Sequence, residues 1–270
     1  MSLLEGKRIG FLGAGNMAEA LVRGLISGGF PAGSIIASDV SEARRKFFAD
    51  DLHVAATNDN RDVVAKSDIV VFAVKPQNMP ELVAILSGVG PGKLFISICA
   101  GISTSFIEKG LGGTPHVVRA MPNTPMLVGA GAAAIAKGAN ANDADVTVAR
   151  AIFESAAKVT VVTESMMDAV TAVSGSGPAY FLYLVEALAE AGVVLGLRKA
   201  AALELARQTA FGTGKLLAES PDSPEELRRK VTSPGGTTFA AISKLEAAGL
   251  KAIVTEAVKA AAARSKELGR

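Results

Sequence analysis

Eleven residues near the start of the chain constrain its fold more than any others: Arg8-Ile9-Gly10-Phe11-Leu12-Gly13-Ala14-Gly15-Asn16-Met17-Ala18. An apolar run suited to a buried strand meets a glycine turn and then helix-forming residues. Gly13 permits a tight turn, Gly15 has no side chain to obstruct a ligand, and Ala18 is small enough for helix to pack on strand. The start of such a helix offers free backbone N–H groups and a partial positive charge, which suits a pyrophosphate. Alone, G-x-G-x-x-A is weak evidence. Placed after the first strand, with the acid Asp39 about twenty residues beyond Ala18, it reads as a dinucleotide-binding unit.

Asp39 lies in Ser38-Asp39-Val40-Ser41-Glu42-Ala43-Arg44-Arg45. A carboxylate there would favour the free 2′-hydroxyl of NAD, and an arginine would suit the 2′-phosphate of NADP. Arg44 and Arg45 read equally well as solvated helix positions. The choice between NADH and NADPH stays open in the sequence.

The rest of the chain falls into two rhythms. Up to Val162, short β-rich runs alternate with amphipathic stretches such as Met17–Ser27 and Glu42–Ala49. Strands are expected at Arg8–Leu12, Ser34–Ser38, His53–Ala55, Ile69–Val74, Leu94–Ile98, His116–Arg119, Ala130–Ala136 and Val159–Val162. Such alternation implies right-handed crossovers and a doubly wound, mainly parallel α/β sheet, the Rossmann arrangement. From Glu164 no strand candidate remains, and Ala/Leu/Val-rich helical segments cover Ala179–Gly196, Lys199–Ala218 and Thr237–Glu267. The expected division is therefore a dinucleotide-binding domain, 1–163, and an all-α domain, 164–270. The helix around Tyr180–Leu195 is apolar on nearly every side and needs partners all round, so the second domain is expected to form a dimer interface.

Composition narrows the function. Hydrophobic residues make up 49% of the 270, and a formal charge of +2 with mixed signs lacks the basic footprint that nucleic acid demands. The single cysteine, Cys99, rules out an intrachain disulfide or a multi-cysteine metal cluster. The apolar stretch Pro178–Leu197 carries Glu186 and Glu190, which a membrane span would tolerate badly, so a buried helix is expected instead. The patch opening Met1–Lys7 is too short for a secretory signal, which makes a cytoplasmic location the default.

In open α/β sheets ligands bind outside the carboxyl ends of the strands. Val74-Lys75-Pro76-Gln77, Cys99-Ala100-Gly101 and Met121-Pro122-Asn123-Thr124-Pro125 follow such strands. Lys75 reads as a cofactor-side or structural cation, with proton donation as the alternative. Cys99 reads as a small buried residue rather than a nucleophile, and His53 and His116, both in strand-like contexts, as structural. In the helical half two turns are rich in glycine and hydroxyls: Ser174-Gly175-Ser176-Gly177-Pro178, and Thr232-Ser233-Pro234-Gly235-Gly236-Thr237-Thr238. The second follows a short helix that opens on a capping box, Ser223-Pro224-Glu225-Glu226. One such turn is ordinary helix capping; two in one helical half point to a small acidic substrate.

Gly13–Ala18, Ala73-Val74-Lys75-Pro76, Met121–Pro125, Ser174–Tyr180 and Val231–Thr238, in this order, resemble the pyrroline-5-carboxylate reductases, particularly bacterial members. The resemblance spans nearly the whole chain. It implies NADPH- or NADH-dependent reduction of 1-pyrroline-5-carboxylate to L-proline by a homodimer joined through its C-terminal helices, in some members assembled further. It assigns the pyrophosphate to Gly13, Ala14, Gly15, Asn16 and Met17, and the adenosine ribose or its phosphate to Ser38 and Asn60; Asp39 and Arg44 are added as cofactor-side candidates by their own reading above. Ala73, Val74, Lys75, Pro76, Cys99 and Ala100 take the nicotinamide side, and Met121 and Asn123 join them as cofactor-side candidates by their place at a strand end. Ser233, Gly235, Gly236, Thr237 and Thr238, with Ser176, take the substrate; Thr238 would hydrogen-bond the ring nitrogen, and the second subunit would supply that turn. No metal is implied. Lys230, where many members carry a neutral polar residue, and Asp39, which clouds the usual NADPH preference, are departures. A β-hydroxyacid dehydrogenase would need a lysine base, and Lys199 and Lys215 sit in no matching motif. A nucleotide-sensing module without catalysis would leave Ser233–Thr238 unexplained.

Overall fold

The computed structural model describes residues 2–88 and 92–269; Met1, which opens the apolar patch noted above, lies outside them. The chain divides into two compact units, Met1–Ser176 with Ala261–Arg270, and Gly177–Ala260.

The first unit is built on eight strands: β1 (Ile9–Leu12), β2 (Ile35–Ser38), β3 (Ala55–Thr57), β4 (Ile69–Phe72), β5 (Leu94–Ser97), β6 (His116–Pro122), β7 (Gly131–Lys137) and β8 (Ala157–Val161). Its helices are α1 (Asn16–Ser27), α2 (Glu42–Asp50), α3 (Asn60–Ala65), α4 (Met79–Ile85), α5 (Thr104–Leu111), α6 (Asp143–Phe153) and α7 (Met167–Val170). The strands form one sheet in the order β3-β2-β1-β4-β5-β6-β7-β8. Every pair is parallel except β6 with β7. The order reverses beside β1, so the glycine turn after that strand sits at the topological switch point.

Alternation along the strands builds a core on each face of the sheet. Ile9, Phe11, Ile69, Val71 and Ile96 pack into one cluster; Leu12, Val70, Phe72 and Phe95 pack into the other. Phe72 and Phe95 stack with centroids 5.8 Å apart. Each such side chain contributes roughly 1.5–3 kcal/mol on burial, which fixes the register of the strand ends that carry the site.

All eight expected strands are present, with one displaced. β3 begins at Ala55, because His53 adopts a left-handed φ of 55° and the Val54 amide donates to Phe48 O at 2.9 Å. That turn keeps the chain on α2 for two residues longer, and His53 is an exposed turn residue rather than a strand one. His116 does open β6, its Nδ1 held 2.8 Å from Asp145.

After β8, a 3₁₀ turn (Glu164–Met166), α7 and a π turn (Thr171–Gly175) pack within this same unit. Glu164 accepts from both the amide and the hydroxyl of Thr104, at 2.7 and 2.6 Å, and lies 3.4 Å from the buried Arg119.

The second unit contains α8 (Gly177–Val194), α9 (Lys199–Glu219), α10 (Pro224–Lys230), α11 (Thr237–Ala247) and most of α12 (Leu250–Leu268). The segment expected as Thr237–Glu267 is split at Ala248-Gly249. The capping box of α10 is formed: Glu226 N donates to Ser223 Oγ at 3.2 Å, and Ser223 N to Glu226 Oε2 at 2.9 Å. Lys230 pairs with Asp222.

The expected burial of α8 is not met within one chain. It packs on α9, with Gly192 close against Ala202, but Phe181 and Tyr183 remain 71% and 74% exposed. Among the described residues nothing covers these two side chains, and a helix that is apolar all round calls for a further surface. By length and composition the stretch Glu164–Val194 is long and apolar enough to cross a membrane.

Candidate functional site

The glycine turn is shaped by its neighbours. Gly13 has φ +105°, and a Cβ there would stand 2.5 Å from Ala73 O. The end of β1 and the start of Ala73–Pro76 are therefore in close backbone contact, and Gly13 N donates to Ser38 O at 2.8 Å. Gly15 is the opposite case: a Cβ there would meet nothing within 4 Å. It is the N-cap of α1 and provides no side-chain acceptor for the first amides of the helix. Open space before unsatisfied N–H groups is what a pyrophosphate requires, and the residues present fit a dinucleotide.

Beside it, Ser38 and Asn60 meet directly, Ser38 Oγ donating to Asn60 Oδ1 at 2.6 Å. Asp39 turns inward: its Oδ2 accepts from Ala14 N and its Oδ1 from Ser41 N, both at 2.8 Å. Arg44 is not a solvated helix position. Its Nε donates to Ala14 O at 2.6 Å, its Nη2 to Glu19 at 2.9 Å, and its guanidinium lies 4.8 Å from the centroid of Phe47. Arg45 donates to the carbonyls of Asp39 and Val40 at 2.7 and 3.0 Å. Burial works against ionised Glu19, but hydrogen bonds from Arg44 and Arg23 outweigh it and hold the carboxyl below its usual range. Arg45, read beside Arg44 as either a phosphate partner or a solvated position, braces the backbone instead; Glu19 is outside the expected site, and an acid in the first turn of an otherwise apolar helix is the signal for it.

The other strand ends follow in order. Ala73 and Val74 are half-buried and Lys75 is exposed. Cys99 is 2% exposed, with Sγ 3.2 Å from Val74 O. Burial pushes its thiol up to about 11, against the opposing effect of hydrogen bonds to Ser97 and Val74. It joins two strand ends and is a poor nucleophile at neutral pH. Asn123 spends its amide internally, donating to Ser174 O at 3.1 Å and accepting from Ala132 N at 2.8 Å. Met121 packs against Gly175 in the π turn, and Ser176 donates its amide to Thr171 O at 2.8 Å. π turns are frequent at functional sites.

In the second unit, Gly235 (φ +70°) turns the chain into α11, whose N-cap is Gly236 with no side-chain acceptor. Gly236 N closes the turn onto Ser233 O at 3.0 Å. Among the described residues the hydroxyls of Ser233, Thr237 and Thr238 make no hydrogen bond, whereas Thr232 donates to Arg228 O at 2.6 Å. An uncapped helix start bearing three unengaged hydroxyls can receive a carboxylate and donate to a ring nitrogen.

A family model described as NADP oxidoreductase, coenzyme F420-dependent, matches residues 8–101, and one described as pyrroline-5-carboxylate reductase dimerisation matches residues 164–268. Fold, glycine turn and these matches define an oxidoreductase built on a Rossmann-type, NAD(P)-binding domain. A pyrroline-5-carboxylate reductase of Synechocystis sp. is 43% identical over 97% of this chain and 98% of its own length. Among solved structures, one from Coxiella burnetii superposes with a TM-score of 0.90 at 39% identity, covering 98% of this chain and 99% of its own. A Plasmodium falciparum pyrroline carboxylate reductase, solved with NADP bound, gives 0.86 at 31% identity, covering 98% of this chain and 99% of its own. The chain belongs to the pyrroline-5-carboxylate reductase family.

Proposed function

We propose that this protein reduces 1-pyrroline-5-carboxylate to L-proline, the last step of proline biosynthesis, as a cytoplasmic homodimer that binds neither nucleic acid nor membrane. One observation carries the site assignment. Ser41, Asp59, Ser103, Asn142 and Ser223 cap their own helices with side-chain oxygens. α4, α7 and α9 also lack a side-chain cap, behind Asn78, Met166 and Arg198, but Gly15 and Gly236 leave α1 and α11 both uncapped and with no side chain before their amides, at the pyrophosphate turn and the Ser233–Thr238 turn.

The imine carbon of the substrate would be reduced by hydride, the chemistry that NADH or NADPH would supply when bound. Gly13 and Ala14 shape the turn, their own amides spent on Ser38 and Asp39, so that the start of α1 from Gly15 through Asn16 and Met17 holds the pyrophosphate, and Ser38 and Asn60 face the adenosine ribose. Ala73–Pro76, Cys99 and Ala100 wall the nicotinamide side, and Met121 and Asn123 shape the turn beside them. Ser233–Thr238 of the second subunit, with Ser176, receives the substrate carboxylate and ring. The Thr238 hydroxyl donates to the neutral imine nitrogen, or accepts from its N–H once it is protonated, and so orients the ring; being a weak acid, it is an orienting group rather than a full proton source. A protonated imine is already electrophilic, so holding and shielding the two rings suffices and no strong base is required. The family model's start at residue 164 supports a functional division into 1–163 and 164–270. The partner subunit, rather than lipid, covers α8.

The test follows NADPH and NADH absorbance in parallel as 1-pyrroline-5-carboxylate is added, with 3-hydroxyisobutyrate and oxidised cofactor as the contrasting assay. Oxidation of either reduced cofactor with equimolar proline formed is expected. Turnover of the hydroxyacid alone, or dinucleotide binding without turnover, would refute the assignment.

A further inference from the structure

We propose that Asp39 is a positioning residue for the glycine turn and not the acceptor for the ribose 2′-hydroxyl, the role its place at the end of β2 suggests. The inference rests on the dinucleotide-binding reading above and concerns how the chain prepares that site.

The geometry lies in one peptide. The N–H of Ala14 donates to Asp39 Oδ2 at 2.8 Å, and the carbonyl of Ala14 accepts from Arg44 Nε at 2.6 Å. The residue between the two glycines is thus gripped at both polar ends by the segment that follows β2. That segment is itself braced. Asp39 Oδ1 accepts from Ser41 N at 2.8 Å, and Arg45 Nη1 ties down the carbonyls of Asp39 and Val40. Glu19, in the first turn of α1, takes the second arm of Arg44 at 2.9 Å, so the network returns to the helix that the turn opens.

Two consequences follow for any dinucleotide. Ala14 N–H is spent on Asp39, so the pyrophosphate must be met by the amides beyond Gly15. Each Asp39 oxygen is already committed to a backbone amide, so its orientation is set by the turn rather than by a ribose. A group in this role acts on both dinucleotides alike, because both share the pyrophosphate. An acceptor for the 2′-hydroxyl would instead favour NADH, since NADPH carries a phosphate there. The ratio of the two affinities therefore separates the roles.

The experiment uses the full-length dimer and calorimetric titration of NADH and NADPH into wild type, Asp39→Ala and Asp39→Asn. Asp39→Ala is expected to weaken both by roughly tenfold, the scale of one lost charge-assisted hydrogen bond, with the NADH-to-NADPH ratio of Kd held within about threefold. Asp39→Asn keeps one acceptor oxygen and is expected to recover part of the loss; it also serves if the alanine variant fails to fold. In the unliganded protein, hydrogen exchange of a peptide containing Ala14 is expected to quicken in Asp39→Ala, a change that needs no cofactor. A loss falling at least tenfold harder on NADH than on NADPH would make Asp39 a ribose acceptor and overturn the proposal. Unchanged binding of both, with unchanged exchange at Ala14, would overturn it as well. Wild-type protein that bound neither dinucleotide would remove the reading beneath the proposal, an outcome distinct from either of these.

Discussion

Gly13 and Gly15 stand two residues apart in the same motif, yet the structure gives them opposite jobs, and substitution should separate them. At Gly13 a methyl group would be forced into φ +105° and to 2.5 Å from Ala73 O. The backbone strain costs about 1–3 kcal/mol, and moving Ala73 out of contact costs about as much again. Gly13→Ala should therefore lose roughly 2–6 kcal/mol, or about 4–24 °C in Tm for a domain of this size. At Gly15, with φ −74° and open space around the missing Cβ, a larger side chain strains nothing. Gly15→Val gives up a tolerated N-cap residue for a poor one, about 1 kcal/mol, and should shift Tm by no more than roughly 4 °C. Its branched side chain would occupy the space before the α1 amides, so the Kd for NADH and NADPH should rise at least about tenfold, the scale of one charged hydrogen bond lost. The assay pairs thermal unfolding, at one protein concentration because dimerisation contributes to stability, with titration of both cofactors. A Gly13→Ala protein as stable as wild type, or a Gly15→Val protein that binds normally, would refute the division of labour.

Thr238→Ala should lower kcat by about tenfold or more while leaving the cofactor Kd within about twofold, the cost of one orienting hydrogen bond; an unchanged kcat removes Thr238 from the reaction. Cys99, its thiol pushed up to about 11 by burial, should carry only about a thousandth of its population as thiolate at pH 8. It should therefore resist a thiol reagent in the folded protein and react fully in denaturant, and rapid native labelling would contradict the burial. Phe181→Arg, at a position 71% exposed in the single chain, should shift the dimer toward monomer in size-exclusion chromatography with light scattering. A wild-type monomer at low micromolar concentration, or wild-type binding to lipid vesicles, would show that α8 is covered by something other than a second copy.

Much of this molecule can be read from its sequence because the relevant signals are local. Strand alternation needs only neighbours, and all eight strands appear where β-rich runs fall. β3 starts late because the Phe48 carbonyl captures the Val54 amide, a contact invisible to propensity. The same locality explains the helix starts. Ser41, Asp59, Ser103, Asn142 and Ser223 announce ends that satisfy themselves, and Gly15 and Gly236 announce ends that do not. Capping chemistry lies within three residues of the cap, so a sequence points to closed and open helix starts before any fold is known, although Asn78, a capping type, leaves α4 without a side-chain cap.

What the sequence left open is non-local in every case. Asp39 and Arg44 are legible as an acid and a base near the end of β2, but their partner Ala14 lies 25 and 30 residues away. Residue type does not reveal which way a carboxylate turns when a backbone amide and a ribose hydroxyl could each receive it. Asn123 shows the same thing: its place after β6 suggests a ligand contact, and its amide is spent on Ala132 and Ser174. For α8 the missing information is not in one chain at all. The helix advertises its need for burial in its composition, and a lone subunit leaves Phe181 and Tyr183 in solvent. An apolar pattern specifies that a surface must be covered but not by which molecule, so the strongest apolar signal in this sequence says least about the subunit that carries it.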